Sequence, residues 1–336
     1  MSFRAFIAGC AGLALSPDER AFFREARPWG LILFRRNVDR PDQVRALTES
    51  FRDLLGADAA VLVDQEGGRV QRLASPHWPA YPPAAAFGRI GAQGEEIAGL
   101  GARLIAADLR AVGIDVDCLP VLDTPAQGAH RVIGDRAYAE KPSDVARLGR
   151  AAARGLMSGG VMPVMKHVPG HGRARADSHL ELPRVSVSHA ELETDFAPFK
   201  ANADLPAAMT AHVIYDALDP LFPATQSRAV IENIVRGEIG FDGLLITDDL
   251  SMKALEGRFF ERAARAFAAG VDLALHCNGD LREAGAVAQA APMLAGKALH
   301  RVERARAEVR AAESAAEAFD PVDARAELAT ALAAVA

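Results

Sequence analysis

Residues 161–183 read VMPVMKHVPGHGRARADSHLELP, and this stretch indicates how the rest of the chain is built. It begins with an apolar run, 161–165, whose length and content are typical of a parallel strand buried on both faces. A polar loop follows at once, with three His, two Gly, a Pro and an Asp within fourteen residues. Although a solvated loop could be merely polar, titratable groups directly behind a buried strand favour an active site.

Seven further apolar runs have a similar length and are rich in Val, Ile and Leu. In chain order, the eight predicted strands are residues 4–10, 30–34, 60–64, 115–121, 161–167, 207–212, 243–248 and 271–276. Helical patterns lie between them, at residues 41–55, 95–112, 143–157, 190–200 and 260–269, and in a further helix capped by Ser227. This alternation predicts a (β/α)8 TIM barrel. An open doubly wound sheet would favour a glycine-rich phosphate loop after the first strand, where the chain instead reads AGLALSPDE.

We expect one domain over residues 1–336, with the barrel at about 1–280 and a helical tail at about 281–336. The tail is rich in Ala, Glu and Arg at helical spacing, which predicts a terminal layer on the outside of the barrel.

The composition narrows the class of ligand and the compartment. A net charge of -6 argues against a nucleic-acid or anionic-membrane partner and favours a small, mostly neutral molecule. The three Cys, Cys10, Cys118 and Cys277, lie in or beside apolar runs, which predicts buried thiols in a reducing compartment. Residues 7–10 resemble a lipoprotein cleavage box, but the single Arg before them and the short apolar run favour a strand and a cytoplasmic protein.

Chemically active side chains recur where the predicted strands end, and in a barrel those ends form the active site. The residues concerned are Asp64, Arg136, Lys166, His167, His212, Asp248 and Asp249. Behind the fifth strand, Asp177 and His179 are two residues apart, so an extended segment would project both to one side as a proton-transfer pair. Gly170 and Gly172 would give this loop conformational freedom.

Six motifs make the prediction specific. They are GLILFRRN (30–37), DQEGGRVQRL (64–73), KHVPGHG (166–172) followed by DSH (177–179), MTAHVIYDALDP (209–220) and ITDDLSM (246–252). Together and in this order they resemble the β-N-acetylglucosaminidases of glycoside hydrolase family 3, particularly the bacterial cytoplasmic muropeptide-recycling type. The resemblance runs from about Gly30 to Asn278. The first strand carries IAGCAG where a more acidic stretch is expected, and no counterpart is assigned after Asn278.

The resemblance implies an exo-acting, retaining enzyme that removes terminal N-acetylglucosamine from cell-wall fragments such as the disaccharide with 1,6-anhydro-N-acetylmuramic acid and its peptides. It implies a small carbohydrate partner. We also expect no cofactor, no metal and a monomer. Asp248 would be the nucleophile, with Asp249 directed to the opposite face of the strand. His179 would be the acid/base and Asp177 its partner. The residues implied to bind sugar hydroxyls and the acetamido group are Asp64, Arg72, Arg136, Lys166 and His167.

Three alternatives stay open. His167, His171, Asp177 and His179 include ligand-capable side chains, which is compatible with a metal-dependent hydrolase, although the chain has no HExxH motif. A non-catalytic sugar-binding protein would be expected to lose Asp248 or His179. A β-glucosidase or a phosphorylase is the nearest alternative, because a histidine acid/base tolerates an anionic phosphate acceptor better than a carboxylate does.

Overall fold

The computed structural model describes residues 2–178 and 180–335, and its centre is a closed barrel of eight parallel strands. The strands are β1 (Arg4–Gly9), β2 (Pro28–Leu33), β3 (Ala60–Val63), β4 (Val116–Asp117), β5 (Met162–Val168), β6 (Ala207–Thr210), β7 (Leu244–Asp249) and β8 (Leu273–His276). Each strand pairs in parallel with the next along the chain, and β8 pairs with β1 to close the barrel. The predicted (β/α)8 TIM barrel is therefore confirmed.

The strands are apolar and lack alternation because both of their faces are covered. Every residue of β2, β3, β5, β6 and β8 is buried. β4 is much shorter than the predicted run 115–121, since Pro120 has no N–H to donate to a sheet ladder. Beyond β4, the Leu119 and Pro120 carbonyls accept the N–H groups of Val164 and Lys166. The Leu122 N–H donates to the Lys166 carbonyl, which forms a bridge between Val121 and β5.

Ten α-helices and one π-helix surround the barrel in the part of the chain described. They are α1 (Pro17–Ala26), α2 (Pro41–Leu55), α3 (Ala84–Arg89), α4 (Gly94–Arg110), α5 (Pro142–Ser158), α6 (His189–Lys200), the π-helix Val230–Glu238, α7 (Phe259–Ala269), α8 (Leu281–Ala290), α9 (Gly296–Ser314) and α10 (Pro321–Ala333). The Ser227 hydroxyl accepts the Val230 N–H at 3.1 Å, so the predicted cap is present. Helix α1 was not predicted, although Ser16 and Glu19 form a capping box, which is a sequence signal for the start of a helix.

The helical tail covers the barrel differently from our expectation. Helix α10 packs on α4 at the outside, as predicted, but α9 crosses the N-terminal end of the barrel. Arg301 of α9 binds Asp242 at 2.7 Å and Asp272 at 3.0 Å, and these two residues precede β7 and β8. Helix α9 therefore covers the end of the barrel opposite the C-terminal strand ends.

Cys10, Cys118 and Cys277 are buried and unpaired, so the prediction of three buried thiols is confirmed. No helix within residues 2–178 and 180–335 combines the length and the apolar character that crossing a membrane requires.

Candidate active site

One pocket opens at the C-terminal ends of the strands, and it brings together side chains from distant parts of the sequence. Six predicted site residues line it: Asp64, Arg72, Arg136, Lys166, His167 and Asp248. Apolar side chains complete the wall, among them Ile32, Phe34, Met209 and Leu275. Within the described parts of the chain, no group of three His, Cys, Asp or Glu side chains is arranged to hold a metal ion.

The pocket floor is an ion network centred on Lys166, which lies at the end of β5 and is 2% exposed. Its Nζ lies 2.8 Å from Asp64 Oδ1 and 2.6 Å from Glu66 Oε1. Burial alone would lower the pKa of Lys166, but the two carboxylates outweigh it and hold the pKa above its usual value. The ammonium group is therefore held charged and in a fixed place.

Two arginines complete the network from the loops after β3 and β4. Arg136 forms a fork on Glu66, with its Nε and Nη2 each 2.8 Å from a carboxylate oxygen. Arg72 lies 3.2 Å from Asp64 and stacks over the Phe34 ring at 5.2 Å. Burial would raise the pKa of Glu66, yet Lys166 and Arg136 lower it to about 2. Three cations against two carboxylates make a rigid floor of fixed donors and acceptors.

Glu66 was not among the predicted site residues, although it stands two residues after Asp64 in the motif DQEGGRVQRL. Alternation along a strand would have suggested it, because residues two apart project to the same side. The structure instead shows the chain turning into the short strand Gln65–Gly67, which pairs with Val70–Gln71. Glu66 and Asp64 nevertheless meet at Lys166.

His167 is held by a second missed residue, Asp123, which follows β4 in the sequence PVLDT. Asp123 is fully buried, and its Oδ2 lies 2.7 Å from His167 Nδ1. Burial tends to raise the pKa of Asp123, but the facing His167 imidazole reverses this and the net pKa is lowered. Asp123 therefore sits in the site as a carboxylate. An Asp at the end of a predicted strand was the available signal.

The two Asp residues at the end of β7 both line the pocket but make different contacts. The Asp248 side chain is 9% exposed in the pocket, with Oδ2 4.0 Å from His167 Nε2. Its Oδ1 accepts the Asp249 N–H at 2.8 Å. Asp249 instead accepts the backbone N–H of Ser251 at 2.9 Å and that of Cys277 at 3.1 Å. These contacts are structural, but Asp249 also lines the pocket, so the expectation that it is directed to the opposite face of the strand is not confirmed.

The loop after β5 is anchored at its start. Tyr215 donates its hydroxyl to the Gly170 carbonyl at 2.8 Å. At Gly172 an added Cβ would lie 1.9 Å from the Thr124 carbonyl oxygen. Gly172 is therefore required by close backbone approach, and not by freedom of movement as we expected.

The end of this loop reaches the pocket. Ser178 lines the pocket, and its Oγ lies 3.3 Å from His171 Nε2. Asp177 is half-buried, and its carbonyl accepts the N–H groups of Leu180 and Glu181. His179, the predicted acid/base, lies outside the described residues. His212 is fully buried outside this lining, held by Thr225 at 2.7 Å and the Asp249 carbonyl at 3.1 Å.

His171 should make the fold sensitive to mild acid. Burial, together with the neighbouring His167, lowers its pKa from 6.5 to about 4. Between these values the unfolded chain binds a proton that the folded chain does not, so stability falls as the pH falls from about 6.5 to about 4. We expect His171→Gln to remove roughly 2 kcal/mol of the loss in unfolding free energy between about pH 7 and pH 5.

Urea unfolding of both proteins at the two pH values measures this. Asp195, whose pKa burial raises to about 6, has an opposite influence, but it is present in both proteins and cancels in the comparison. Equal losses for the wild type and the variant would contradict the prediction.

Comparison with known proteins decides the family. The model for the glycosyl hydrolase family 3 N-terminal domain matches residues 15–310, which is most of the chain. The chain belongs to glycoside hydrolase family 3. The match extends beyond Asn278, so the resemblance assigned from the motifs ended too early.

Relatives within the family indicate the type of enzyme. A β-hexosaminidase of Alkalilimnicola ehrlichii is 43% identical over 278 residues, covering 80% of this chain and 79% of its own. One of Aromatoleum aromaticum is 37% identical and covers 93% of this chain and 90% of its own. NagZ of Neisseria gonorrhoeae, solved with N-trifluoroacetyl-D-glucosamine, superposes with a TM-score of 0.87 at 32% identity, covering 99% of both chains. This family 3 member is a glycoside hydrolase of the β-N-acetylhexosaminidase type.

Proposed function

We propose that the chain is an exo-acting, retaining β-N-acetylglucosaminidase of peptidoglycan fragments. Its substrates would be N-acetylglucosaminyl-1,6-anhydro-N-acetylmuramic acid and the peptides of that disaccharide. The observation that carries the proposal is the pocket itself, in which Asp248 faces His167 across 4.0 Å above the ion network of Lys166. A floor of buried ion pairs favours the terminal sugar of a chain over an internal one.

Asp248 would attack the anomeric carbon and form a glycosyl ester while the leaving oxygen takes a proton. A carboxylate at the end of a barrel strand suits this task because its position is fixed by the sheet. Its backbone neighbour supports it, since the Asp249 N–H binds Oδ1. Water would then attack the anomeric carbon and displace the Asp248 carboxylate, which releases the sugar with its original anomeric configuration.

His179 would supply the proton to the leaving oxygen and later remove one from water, with Asp177 orienting the ring. The support is the motif DSH and the position of the preceding residue, Ser178, in the pocket wall. A histidine paired with a carboxylate can exchange its proton near neutral pH, as a general acid/base must.

The five predicted binding residues would hold the sugar through its hydroxyls and the acetamido group. Lys166, Arg72 and Arg136 offer N–H donors, and Asp64 offers acceptor oxygens. Their mutual ion pairs keep them ordered before the sugar arrives, which reduces the entropy lost on binding.

We also propose an oligomeric state, a location and a domain organisation. We propose a monomer located in the cytoplasm, with the barrel at about 1–280 and the tail at about 281–336 acting as one domain. The buried, unpaired cysteines support a reducing compartment. A mature protein beginning at a lipid-modified Cys10 would contradict the location.

The experiment compares 4-nitrophenyl β-N-acetylglucosaminide with 4-nitrophenyl β-glucoside, each with and without phosphate. We expect the first substrate to be preferred by a factor on the order of 10² or more, because the acetamido group adds contacts that the glucoside lacks. We also expect phosphate to leave the rate unchanged and the disaccharide with the 1,6-anhydro sugar to be cleaved. A preference for the glucoside, or formation of a sugar 1-phosphate, would replace the proposal with one of the alternatives.

A further inference from the structure

Asp123 is a fully buried carboxylate that contacts His167 and His171, two residues of the pocket lining, and it makes three contacts. Its Oδ2 binds His167 Nδ1 at 2.7 Å. Its Oδ1 accepts the backbone N–H of His167 at 3.2 Å and that of His171 at 2.6 Å. One side chain thus holds both an imidazole of the pocket and the first turn of the loop that carries Ser178.

The geometry points to Asp123 as a positioning residue, which fixes the Nδ1–H tautomer of His167 so that Nε2 accepts a hydrogen bond from a hydroxyl of the bound sugar. This inference rests on the binding role proposed for His167. A carboxylate can only accept, so Nδ1 must carry a proton in this contact. When the ring is neutral, the lone pair is therefore on Nε2, which faces the pocket.

The surroundings of His167 agree with this assignment. The titratable groups that face the ring are Asp123, His171, His212 and Asp248. Asp248 is 4.0 Å from Nε2, beyond a direct hydrogen bond, so Nε2 does not need a proton to satisfy it. A hydroxyl that donates to Nε2 would lie against the Asp248 carboxylate.

Asp123→Asn is the sharpest test because the two carboxylate oxygens have different partners. The amide oxygen must stay at the Oδ1 position, since two backbone N–H groups point there. The amide NH2 then replaces Oδ2 and donates to Nδ1, which forces the proton of a neutral ring onto Nε2. Nε2 becomes a donor, and the sugar hydroxyl loses its acceptor with little change in shape.

We expect kcat/KM of Asp123→Asn on 4-nitrophenyl β-N-acetylglucosaminide to fall on the order of 10²-fold. Asp272→Asn is the matched control, a buried carboxylate at the opposite end of the barrel, held by Arg236 and Arg301. It should lose stability without losing kcat/KM of the folded protein. Activity of Asp123→Asn within threefold of wild type would overturn the inference.

Deoxy substrates separate positioning from general damage. The 3-, 4- and 6-deoxy analogues of the aryl glycoside are compared in both enzymes. We expect one of them to lose activity in the wild type and to lose almost nothing further in Asp123→Asn, because its hydroxyl is the one that donates to Nε2. If each of the three deoxy analogues reduces activity by the same factor in both enzymes, Asp123 acts only on folding.

The tautomer can also be observed without a variant at Asp123. Nitrogen-15 NMR of the histidine rings, with His167→Gln to assign the signal, should show the wild-type proton on Nδ1. A proton on Nε2 alone would overturn the inference even if Asp123→Asn does not fold. Full activity of His167→Gln would contradict the binding role proposed for His167 and the inference with it. If His167→Gln loses activity and Asp123→Asn does not, only the inference about Asp123 fails.

Discussion

Asp248→Ala should abolish turnover while leaving the protein folded. The variant lacks the oxygen that would attack the anomeric carbon, and we expect kcat to fall by on the order of 10⁴-fold or more on any β-N-acetylglucosaminide. The barrel should persist because the Asp248 side chain lies at the strand end, in the pocket, and not in the apolar core. Circular dichroism and the thermal midpoint report folding alongside the rate. Retention of more than about a hundredth of the wild-type kcat would refute the assignment.

Asp249→Asn provides the matched comparison for this prediction. Asp249 accepts backbone N–H groups of Ser251 and Cys277, so its replacement should lower stability more than it lowers the rate of folded enzyme. A 5-fluoro glycoside that slows hydrolysis of the ester should label the wild-type protein. Peptide mapping should find the sugar on Asp248, and a label on Asp249 or Asp64 would move the nucleophile to that residue.

The barrel could be predicted because a strand that is buried on both faces is a continuous apolar run, and such runs recur along the sequence. The eight apolar runs correspond to the eight strands, and Pro41–Leu55 matches its predicted helix residue for residue. What failed was local. Pro120 shortens β4 by withholding an N–H, which no hydrophobic pattern reveals. The helical spacing of α9 predicted a layer on the outside of the barrel. In the structure, Arg301 of α9 binds the Asp residues that precede β7 and β8, and α9 lies at the N-terminal end of the barrel.

Most residues that line the site could be predicted from the sequence, but the contacts among them could not. Strand ends identified Asp64, Lys166 and His167, because parallel strands deliver their carboxyl ends to one rim. Glu66 and Asp123 were missed since both act on other site residues, and such pairing depends on distances between segments remote in sequence. Asp123 and His167 are 44 positions apart, and only the closed sheet brings them to 2.7 Å.

His179→Ala should distinguish good leaving groups from poor ones. General-acid help matters in proportion to how strongly the departing oxygen needs a proton, so a sugar alcohol depends on it and a dinitrophenolate hardly does. We expect kcat/KM to fall on the order of 10²–10⁴-fold on a disaccharide and only slightly on the dinitrophenyl glycoside. Steady-state kinetics on both substrates measure the difference. The dinitrophenyl glycoside should also show a burst, because water attack on the glycosyl ester becomes limiting.

Azide tests the role of His179 as general base separately from its role as general acid. An anionic nucleophile needs no general base, so added azide should accelerate breakdown of the ester in His179→Ala and yield the β-glycosyl azide. Asp177→Asn should show the same pattern more weakly, because it removes the charge that orients the ring and leaves the imidazole present. If both leaving groups instead lose activity equally and azide gives no product, His179 binds substrate or orders the loop. The proton would then have to come from His171, which already lines the pocket, or from Glu181 in the same loop.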